Sequence, residues 1–211
     1  MKKSKRLIGN VLICTGVLLI LSGGLWYAHN LYVSNRAYEL GVEQVAKVKD
    51  AIDSRIEAKT DTVSESEPFG EMTITLEAPV KQLPVVMIDD YPYCGYLSIP
   101  DIDLEMPVVN DTTTKNMKYS LCRYKGDPYQ NNMIIDGHNY RSVFRKLRDL
   151  EIGDDVFFTD MDGEVFHYTV LENEVIAGTD IDGMIGGEWD LTLFTCTYGG
   201  ADRYTIRCVE A

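Results

Sequence analysis

The sequence predicts a mainly β fold, a closed barrel or sandwich with short helices, preceded by a transmembrane helix and a helical stalk. Three observations predict it. An apolar run opens the chain, a helical periodicity follows, and from Met72 many short strand patterns alternate with turn residues. We therefore expect a cytoplasmic tail and membrane span over residues 1–30, a stalk and linker over 31–71, and the barrel over 72–211.

The apolar run extends from Leu7 to Tyr27 and follows a basic cluster. Its last two residues, Trp26 and Tyr27, suit the far interface of a bilayer. About 20 residues at helical rise match a bilayer core. The cluster of Lys2, Lys3, Lys5 and Arg6 predicts a cytoplasmic N-terminus and an extracytoplasmic remainder. A cleaved signal peptide is the alternative. The length of the run and the lack of an A-x-A-like site favour an uncleaved anchor.

The segment from Leu31 to Ala58 has helical periodicity. Its apolar residues recur at spacings of three to five among charged residues, at Leu40, Val45, Val48, Ile52 and Ile56. Such a helix is either a solvated stalk or packed on the following domain, and the apolar stripe favours packing. Thr60 to Glu67 has no apolar periodicity and reads as a linker.

The strand patterns come in pairs. Gly95 to Val109 contains two strands around a short turn, Val156 to Val170 is a hairpin with Asp162-Gly163 at its turn, and Leu191–Cys196 precedes Arg203–Val209. One helical turn is expected from Ser142 to Leu150. Many short strands with few helices indicate the barrel or sandwich.

Composition excludes two classes of protein. A net charge of −13, which becomes −17 over residues 28–211, argues against a nucleic-acid-binding protein. Five cysteines without CxxC or Cys/His spacing argue against structural zinc, and no cofactor is expected. Whether two of Cys94, Cys122 and Cys208 form a disulfide stays open. The acidic stretch Asp160–Glu164 lacks the register of an EF-hand loop and fits a hairpin turn better.

Two short motifs carry candidate chemistry. Ile134-Ile-Asp-Gly-His138-Asn is an apolar strand that ends in glycine and histidine, and Leu191-Thr-Leu-Phe-Thr-Cys196 is a strand that ends in cysteine. Either alone is ordinary, since a strand cysteine is usually a small core residue and histidine fills many roles. Cys196, unlike Cys208, stands where a strand breaks into a Gly-rich turn. His167 alternates within a hairpin and is interpreted as structural.

With Arg203 seven residues after Cys196, the chain resembles the sortases, whose signature is TLxTC at the nucleophile, G-H at the histidine and an arginine on the next strand. Gly95 to Pro107 (GYLSIPDIDLEMP) resembles their opening strands. The likeness covers residues 93 to 209 and implies a sortase-type β-barrel. It leaves the subclass open, because GHN is similar to class B whereas the short segment between Val170 and TLFTC is not.

The resemblance implies a cysteine transpeptidase. Cys196 would attack a peptide carbonyl, His138 would transfer protons, and Arg203 would bind substrate or oxyanion. Asn139, Thr195 and Thr197 are expected to bind substrate. The substrate would be a surface protein with an LPxTG-like C-terminal sorting signal, and the acceptor a peptidoglycan precursor amine or a pilin lysine, with no metal in the step.

Other readings are weaker. Papain-like enzymes have the cysteine before the histidine, and LD-transpeptidases need an SHGC-type string, which the sequence lacks. An inactive, anchored sortase relative that only binds sorting peptides is the remaining alternative, and the intact Cys, His and Arg set speaks against it.

Hairpin register selects Arg203 over Arg207. If Gly199-Gly200 are the central residues of a tight turn, Cys196 lies directly opposite Arg203 and on the same face. Arg207 then faces Thr192, roughly 13 Å further along the strand. The alternative interpretation is that both arginines are ordinary surface charges.

Overall fold

A computed structural model describes residues 2–63, 81–141 and 143–211 of the chain. The chain divides into two compact units, Met1–Arg36 and Ala37–Ala211. A single helix, α1, runs from Lys2 to Val63. The expected boundary between linker and barrel, at residues 71 and 72, lies outside the described residues.

The first unit is an apolar stretch of α1. Large side chains from Ile8 to Tyr27 are exposed, among them Leu19 and Trp26. The helix is long and apolar enough to cross a membrane. Burying this surface in a bilayer removes the cost of exposing it to water. The predicted N-terminal apolar helix is therefore confirmed.

In the second unit the described residues form nine strands, a short helix and several 3₁₀ turns. The strands are β1 (Val86–Ile88), β2 (Tyr91–Ile99), β3 (Leu104–Val109), β4 (Leu121–Lys125), β5 (Met133–Gly137), β6 (Asp155–Asp160), β7 (Val165–Ala177), β8 (Leu191–Cys196) and β9 (Asp202–Glu210). The helix α2 spans Ile181–Ile185, and a 3₁₀ helix spans Phe144–Asp149.

Eight strands close into a barrel, in the order β2-β3-β4-β5-β8-β9-β7-β6, and β6 pairs back onto β2. The short strand β1 adds to β2 at one end. Neighbours are antiparallel except for β3–β4 and β5–β8, which are parallel. The predicted closed barrel is thus confirmed, and closure leaves its strands without free edges.

The barrel interior is filled by alternate residues of the strands. On β8 these are Leu191 and Leu193, and on β9 Ile206 and Cys208, all fully buried in one apolar cluster. Because side chains alternate across a strand, the residues between them face outward. The outward residues at one end of the barrel carry the candidate chemistry.

The remainder of α1, from Ala37, packs on the barrel. Val45, Val48 and Ile52 are buried, the last two in a cluster with residues of β2, β3 and β4. Gly41 lies so close to Met106 that a Cβ atom there would be 2.5 Å from the methionine methyl group. Packing, rather than a solvated stalk, is therefore correct for this part of the helix.

The predicted stripe is less buried at its two ends than in its middle. Leu40 is half-buried, and Ile56 is 42% exposed. The buried face instead continues through Gly41 to Ala37, which follows the helical spacing of three and four residues. The linker expected from Thr60 was wrong over Thr60–Val63, which are helical. Its last residues, 64–67, lie outside the described residues.

The three predicted strand pairs are present, and so is the helical turn, as the 3₁₀ helix Phe144–Asp149. The acidic stretch forms the β6–β7 turn, where a carboxylate oxygen of Asp160 accepts the N–H groups of Asp162 and Glu164. Arg55 of α1 then forms an ion pair with Asp162. The hairpin interpretation of this stretch is confirmed. The sequence patterns missed β1, β4 and α2.

Two valines of α1 test this packing. Val48 is fully buried and Val42 is 45% exposed. Val48→Ala should lower the free energy of unfolding by about 2 kcal/mol, because two buried methyl groups leave and a cavity remains. Val42→Ala should change it by no more than about 0.5 kcal/mol. Urea unfolding of the two variants gives the comparison, and equal effects would contradict the packing.

Candidate active site

Cys196 ends β8 and points away from the barrel core. Its neighbour Thr195 is 3% exposed, whereas Cys196 is half-buried. Leu191, Leu193 and Thr195 point inward, so the alternation of the strand turns Cys196 outward. Of the five cysteines, all free thiols, Cys94, Cys122 and Cys208 are buried and Cys14 lies in the apolar helix. The disulfide question is therefore answered, since none is formed.

Burial separates Cys196 from the other thiols of the barrel. It raises the pKa of Cys94 and of Cys208 to about 12 each, and that of Cys122 further still. A thiol is nucleophilic as its thiolate. Three of the barrel's four thiols are therefore held in their unreactive form at neutral pH.

His138 follows β5, the strand parallel to β8. Gly137 pairs with Thr195, so His138 and Cys196 are each the next residue beyond a matched pair. Neighbouring strands are about 4.8 Å apart, so the backbones of the two residues lie at adjacent strand ends. The ring of His138 packs near Tyr140 at 5.1 Å between centroids. Burial lowers the pKa of His138, so the imidazole is neutral at pH 7.

Arg203 lies directly opposite Cys196 in the β8–β9 ladder. Thr197 N–H donates to the Asp202 carbonyl, so by alternation Cys196 and Arg203 form a non-hydrogen-bonded pair, whose side chains are closest. The guanidinium donates through Nη1 to the carbonyls of Gly200 and Asp202, each at 3.1 Å. The predicted register is confirmed.

The predicted turn, however, was wrong. The Gly200 N–H donates to the Thr197 carbonyl, so the hydrogen-bonded turn is centred on Tyr198 and Gly199. Gly199 and Gly200 both have positive φ, at 94° and 79°. A four-residue loop gives the same strand register as a two-residue one, which is why the pairing survived the error.

Arg207 is buried, and its interpretation as a surface charge was wrong. It is 2% exposed and donates to Glu174 Oε1 at 2.7 Å and to Thr192 Oγ1 at 3.0 Å. It also donates to the carbonyls of Gly183 and Met184 in α2. Arg207 therefore ties α2 to the outer face of β8 and β9.

The three expected substrate-binding residues all lie near Cys196, and each already has a protein partner. Thr195 Oγ1 donates to the Gly137 carbonyl at 2.7 Å, and Thr197 Oγ1 accepts the Asp202 N–H. Asn139 accepts two hydrogen bonds from Arg145, at 3.2 and 3.1 Å. Their observed contacts hold the β8–β9 turn and the loop after His138, and their contact with substrate stays a prediction.

His167, interpreted as structural, lies elsewhere on the barrel. Its Nε2 is 2.7 Å from a carboxylate oxygen of Asp155, and its ring stacks on Phe157. Within the part of the chain that the structure describes, no group of three or more His, Cys, Asp or Glu side chains is placed to hold a metal ion.

A pocket of about 290 Å³ opens beside Cys196. Sequence reasoning missed most of its walls, which come from the 3₁₀ helix and from the β8–β9 turn. Its lining residues are Asn139, Phe144, Arg145, Arg148, Thr195, Cys196, Thr197, Tyr198 and Tyr204. One available signal was the Arg-x-x-Arg spacing of a helical turn directly after the histidine motif.

Asp136 is a buried carboxyl two residues before His138. It is 3% exposed, on the outer face of β5 between Cys122 of β4 and Phe194 of β8. Burial raises its pKa to about 6, although a hydrogen bond from Thr112 at 3.0 Å acts in the opposite direction. The sequence patterns missed it, since an Asp inside an apolar strand carries no motif.

Comparison with known proteins gives one family. A model of the sortase domain matches residues 97–211. Sortase A of Bacillus anthracis is 23% identical over 197 residues, which is 90% of this chain and 90% of that protein. The Sortase D5 transpeptidase of Clostridium perfringens has a TM-score of 0.58 at 21% identity, covering 82% of this chain and 99% of that one.

Another solved structure, sortase C of Streptococcus pneumoniae, was described for its catalysis and pilin substrate specificity. It has a TM-score of 0.56 at 20% identity, with 80% of this chain and 96% of that chain covered. At these identities the structural likenesses support the fold, a closed eight-stranded barrel with few helices.

Asp136 gives a test of stability against pH. Its folded pKa of about 6 exceeds its ordinary 3.8, so between these values the folded state binds more protons than the unfolded state. The contribution of Asp136 to the free energy of unfolding is fully present below pH 3.8 and is lost as the pH rises through 6. The loss amounts to about 2 to 3 kcal/mol.

The free energy of unfolding of Asp136→Asn, relative to that of the wild type, should therefore rise by about that amount as the pH is raised from 3.5 to 7. Denaturant unfolding at four pH values measures the difference, in which the titration of His138 cancels because both proteins carry it. A difference that stays constant with pH would show that Asp136 ionises normally.

Proposed function

The chain belongs to the sortase family, whose members are cysteine transpeptidases, and we propose that it cleaves an LPxTG-like sorting signal and transfers the protein to an amine. The observation that supports this most is the register of three strands. In this register Cys196 lies opposite Arg203, and His138 is the residue after Gly137, which pairs with Thr195. A nucleophile, a proton carrier and a cation at one place suit acyl transfer.

The reaction begins at Cys196. Its sulfur attacks the threonyl carbonyl of the sorting signal, and a tetrahedral oxyanion forms. The C–N bond then breaks, and the C-terminal fragment leaves with a proton from His138. The thioester that remains keeps the bond energy for transfer to an amine, which a direct hydrolysis would lose.

His138 carries the protons in both steps. Its lowered pKa keeps the imidazole neutral at pH 7, so it takes the proton of the Cys196 thiol and returns it to the departing amine. In the second step the neutral ring removes a proton from the incoming amine. In each step His138 takes up one proton and gives one back, so a single residue can act first as the base and then as the acid.

Arg203 stabilises the oxyanion. Two of its hydrogen bonds go to carbonyls of its own turn, which orient the guanidinium and leave further N–H groups for substrate. The Thr197 N–H donates to Asp202, so it is already used. The charge-assisted bonds of Arg203 therefore carry the larger share.

Asn139, Thr195 and Thr197 would contribute to the substrate site through the loops that they hold. The proposed acceptor is the amine of a peptidoglycan precursor or of a pilin lysine. The likeness to a sortase C described for its pilin substrate specificity supports the pilin lysine as a candidate. An inactive relative that binds sorting peptides without cleaving them is the alternative.

The apolar helix would anchor the enzyme in the cell membrane. The basic cluster before Ile8 favours a cytoplasmic N-terminus, with the barrel outside, where surface proteins and wall precursors meet. The proposed chain organisation has three regions: a tail and membrane span over residues 1–30, a helical segment and linker over 31–71, and the catalytic barrel over 72–211.

The nucleophile assignment predicts one trapped intermediate. Incubated with an LPxTG peptide, the wild type should gain the mass of the acyl fragment on Cys196. Cys196→Ala should show neither this adduct nor transfer to an amine, whereas Cys208→Ala, which removes a buried thiol, should keep both. Intact-mass spectrometry reads the adduct. An intact wild type that binds the peptide without forming it would identify the inactive relative instead.

The two arginines should fail in different ways. Arg203→Ala should lose about 100-fold or more in turnover with an unchanged midpoint of unfolding, because oxyanion stabilisation is lost. Arg207→Ala should lower the free energy of unfolding by about 3 kcal/mol, because Glu174 and two carbonyls lose their donor. Parallel turnover and urea measurements test both, and a tolerated Arg203→Ala would refute the role.

Membrane orientation has its own test. Protease added to cells without their wall should digest residues 37–211, while a tag before Lys2 stays protected. Digestion of the tag with survival of the barrel would reverse the proposed topology.

A further inference from the structure

The pocket beside Cys196 contains a pair of arginines that the reaction above does not use. Arg145 and Arg148 lie on the 3₁₀ helix Phe144–Asp149, and both line this pocket. The chain as a whole is acidic, since residues 28–211 carry 16 basic and 33 acidic side chains. Two cations beside the nucleophile of so acidic a chain indicate a local attraction for anions.

Both guanidinium groups keep free donors. Arg145 uses Nε and Nη2 on Asn139, and Arg148 uses Nε on the Arg145 carbonyl at 3.2 Å. Over residues 2–63, 81–141 and 143–211, neither forms an ion pair with a carboxylate. Arg148 is exposed. Its terminal nitrogens therefore remain available to a ligand, in the fork geometry that matches a carboxylate.

The pocket adjoins the loop that carries His138. Asn139, which lines it, directly follows His138, and Arg145 holds that residue through its side chain and its carbonyl. His138 exchanges its proton with the departing amine and with the incoming one. The two amines use the same position, since transfer is the reverse of cleavage. Groups attached to an incoming amine would therefore reach this pocket.

We propose, resting on the proposed function, that Arg145 and Arg148 bind a carboxylate carried by the acceptor, close to its reactive amine. Phe144, Tyr198 and Tyr204 supply the apolar wall, and Tyr198 is 96% exposed at the tip of the turn. As the amine attacks, the new C–N bond forms, the thioester C–S bond breaks, and the amine proton passes through His138 to the sulfur.

Arg148 is the better residue to test, because Arg145 also orients the loop after His138. Two matched acceptor pairs separate the two sources of a carboxylate. Nα-acetyl-lysine and its amide differ in a main-chain carboxylate, and the amidated peptides Gly-Gly-Gly-Glu and Gly-Gly-Gly-Gln differ in a side-chain one. The 211-residue chain, in detergent, is supplied with an LPxTG peptide, and mass spectrometry gives transfer products relative to hydrolysis.

The wild type should prefer the acid of at least one pair by about tenfold, the worth of one charge-assisted hydrogen bond. Arg148→Gln should bring that preference close to one, Arg148→Lys should keep part of it, and Arg148→Glu should reverse it. Lys125→Gln, which removes an exposed cation from β4, is the matched control and should keep the wild-type preference.

Two results would overturn the inference while leaving the proposed function standing. In one, the thioester forms and is transferred to amines, but the wild type shows no preference within either pair. In the other, the preference is unchanged in Arg148→Gln. If the wild type forms no thioester with the peptide, or transfers it to none of the amines, the proposed function fails and the inference fails with it.

Discussion

The position of β8 between β5 and β9 is the constraint on which the site depends. Its inward residues, Leu191 and Leu193, are fully buried and fix the register of the strand. A slip of one residue would turn Cys196 into the core and Thr195 out to solvent. The apolar packing of the barrel therefore also decides which way Cys196 faces.

The two arginines of β9 show how burial divides roles on one face of a strand. Arg207, four residues from Arg203, is enclosed by Glu174, Thr192 and two carbonyls of α2. These contacts satisfy its charge and hold the segment between β7 and β8. Arg203, at the open end of the strand, bonds only to its turn among described residues and keeps donors for a ligand. Position along the strand, rather than residue type, separates the two.

The loop after β5 connects the histidine with the arginine pair. Arg145 bonds to both the side chain and the carbonyl of Asn139, so the residue after His138 is fixed by the same helix that lines the pocket. A substrate group that occupied the pocket would touch this helix directly. The walls of the pocket and the position of the loop after His138 are therefore parts of one structural unit.

Local sequence was sufficient for the strands with clear alternation and for the order of the motifs. It identified the N-terminal apolar helix, three strand pairs, and the register that opposes Cys196 to Arg203, because these depend on side-chain period and short turns. It missed β1 and β4, which are short, and α2, whose place depends on Arg207.

Only the tertiary structure decided the properties that depend on residues far apart in the sequence. The parallel pairing of β5 with β8 joins segments more than 50 residues apart, and only this pairing brings His138 level with Cys196. The burial of Asp136 and Arg207, and the pocket of Arg145 and Arg148, likewise arise from several elements at once. A linear pattern carries the types and spacing of these residues. Their exposure, and therefore their charge and available donors, is set by the packing of the whole barrel.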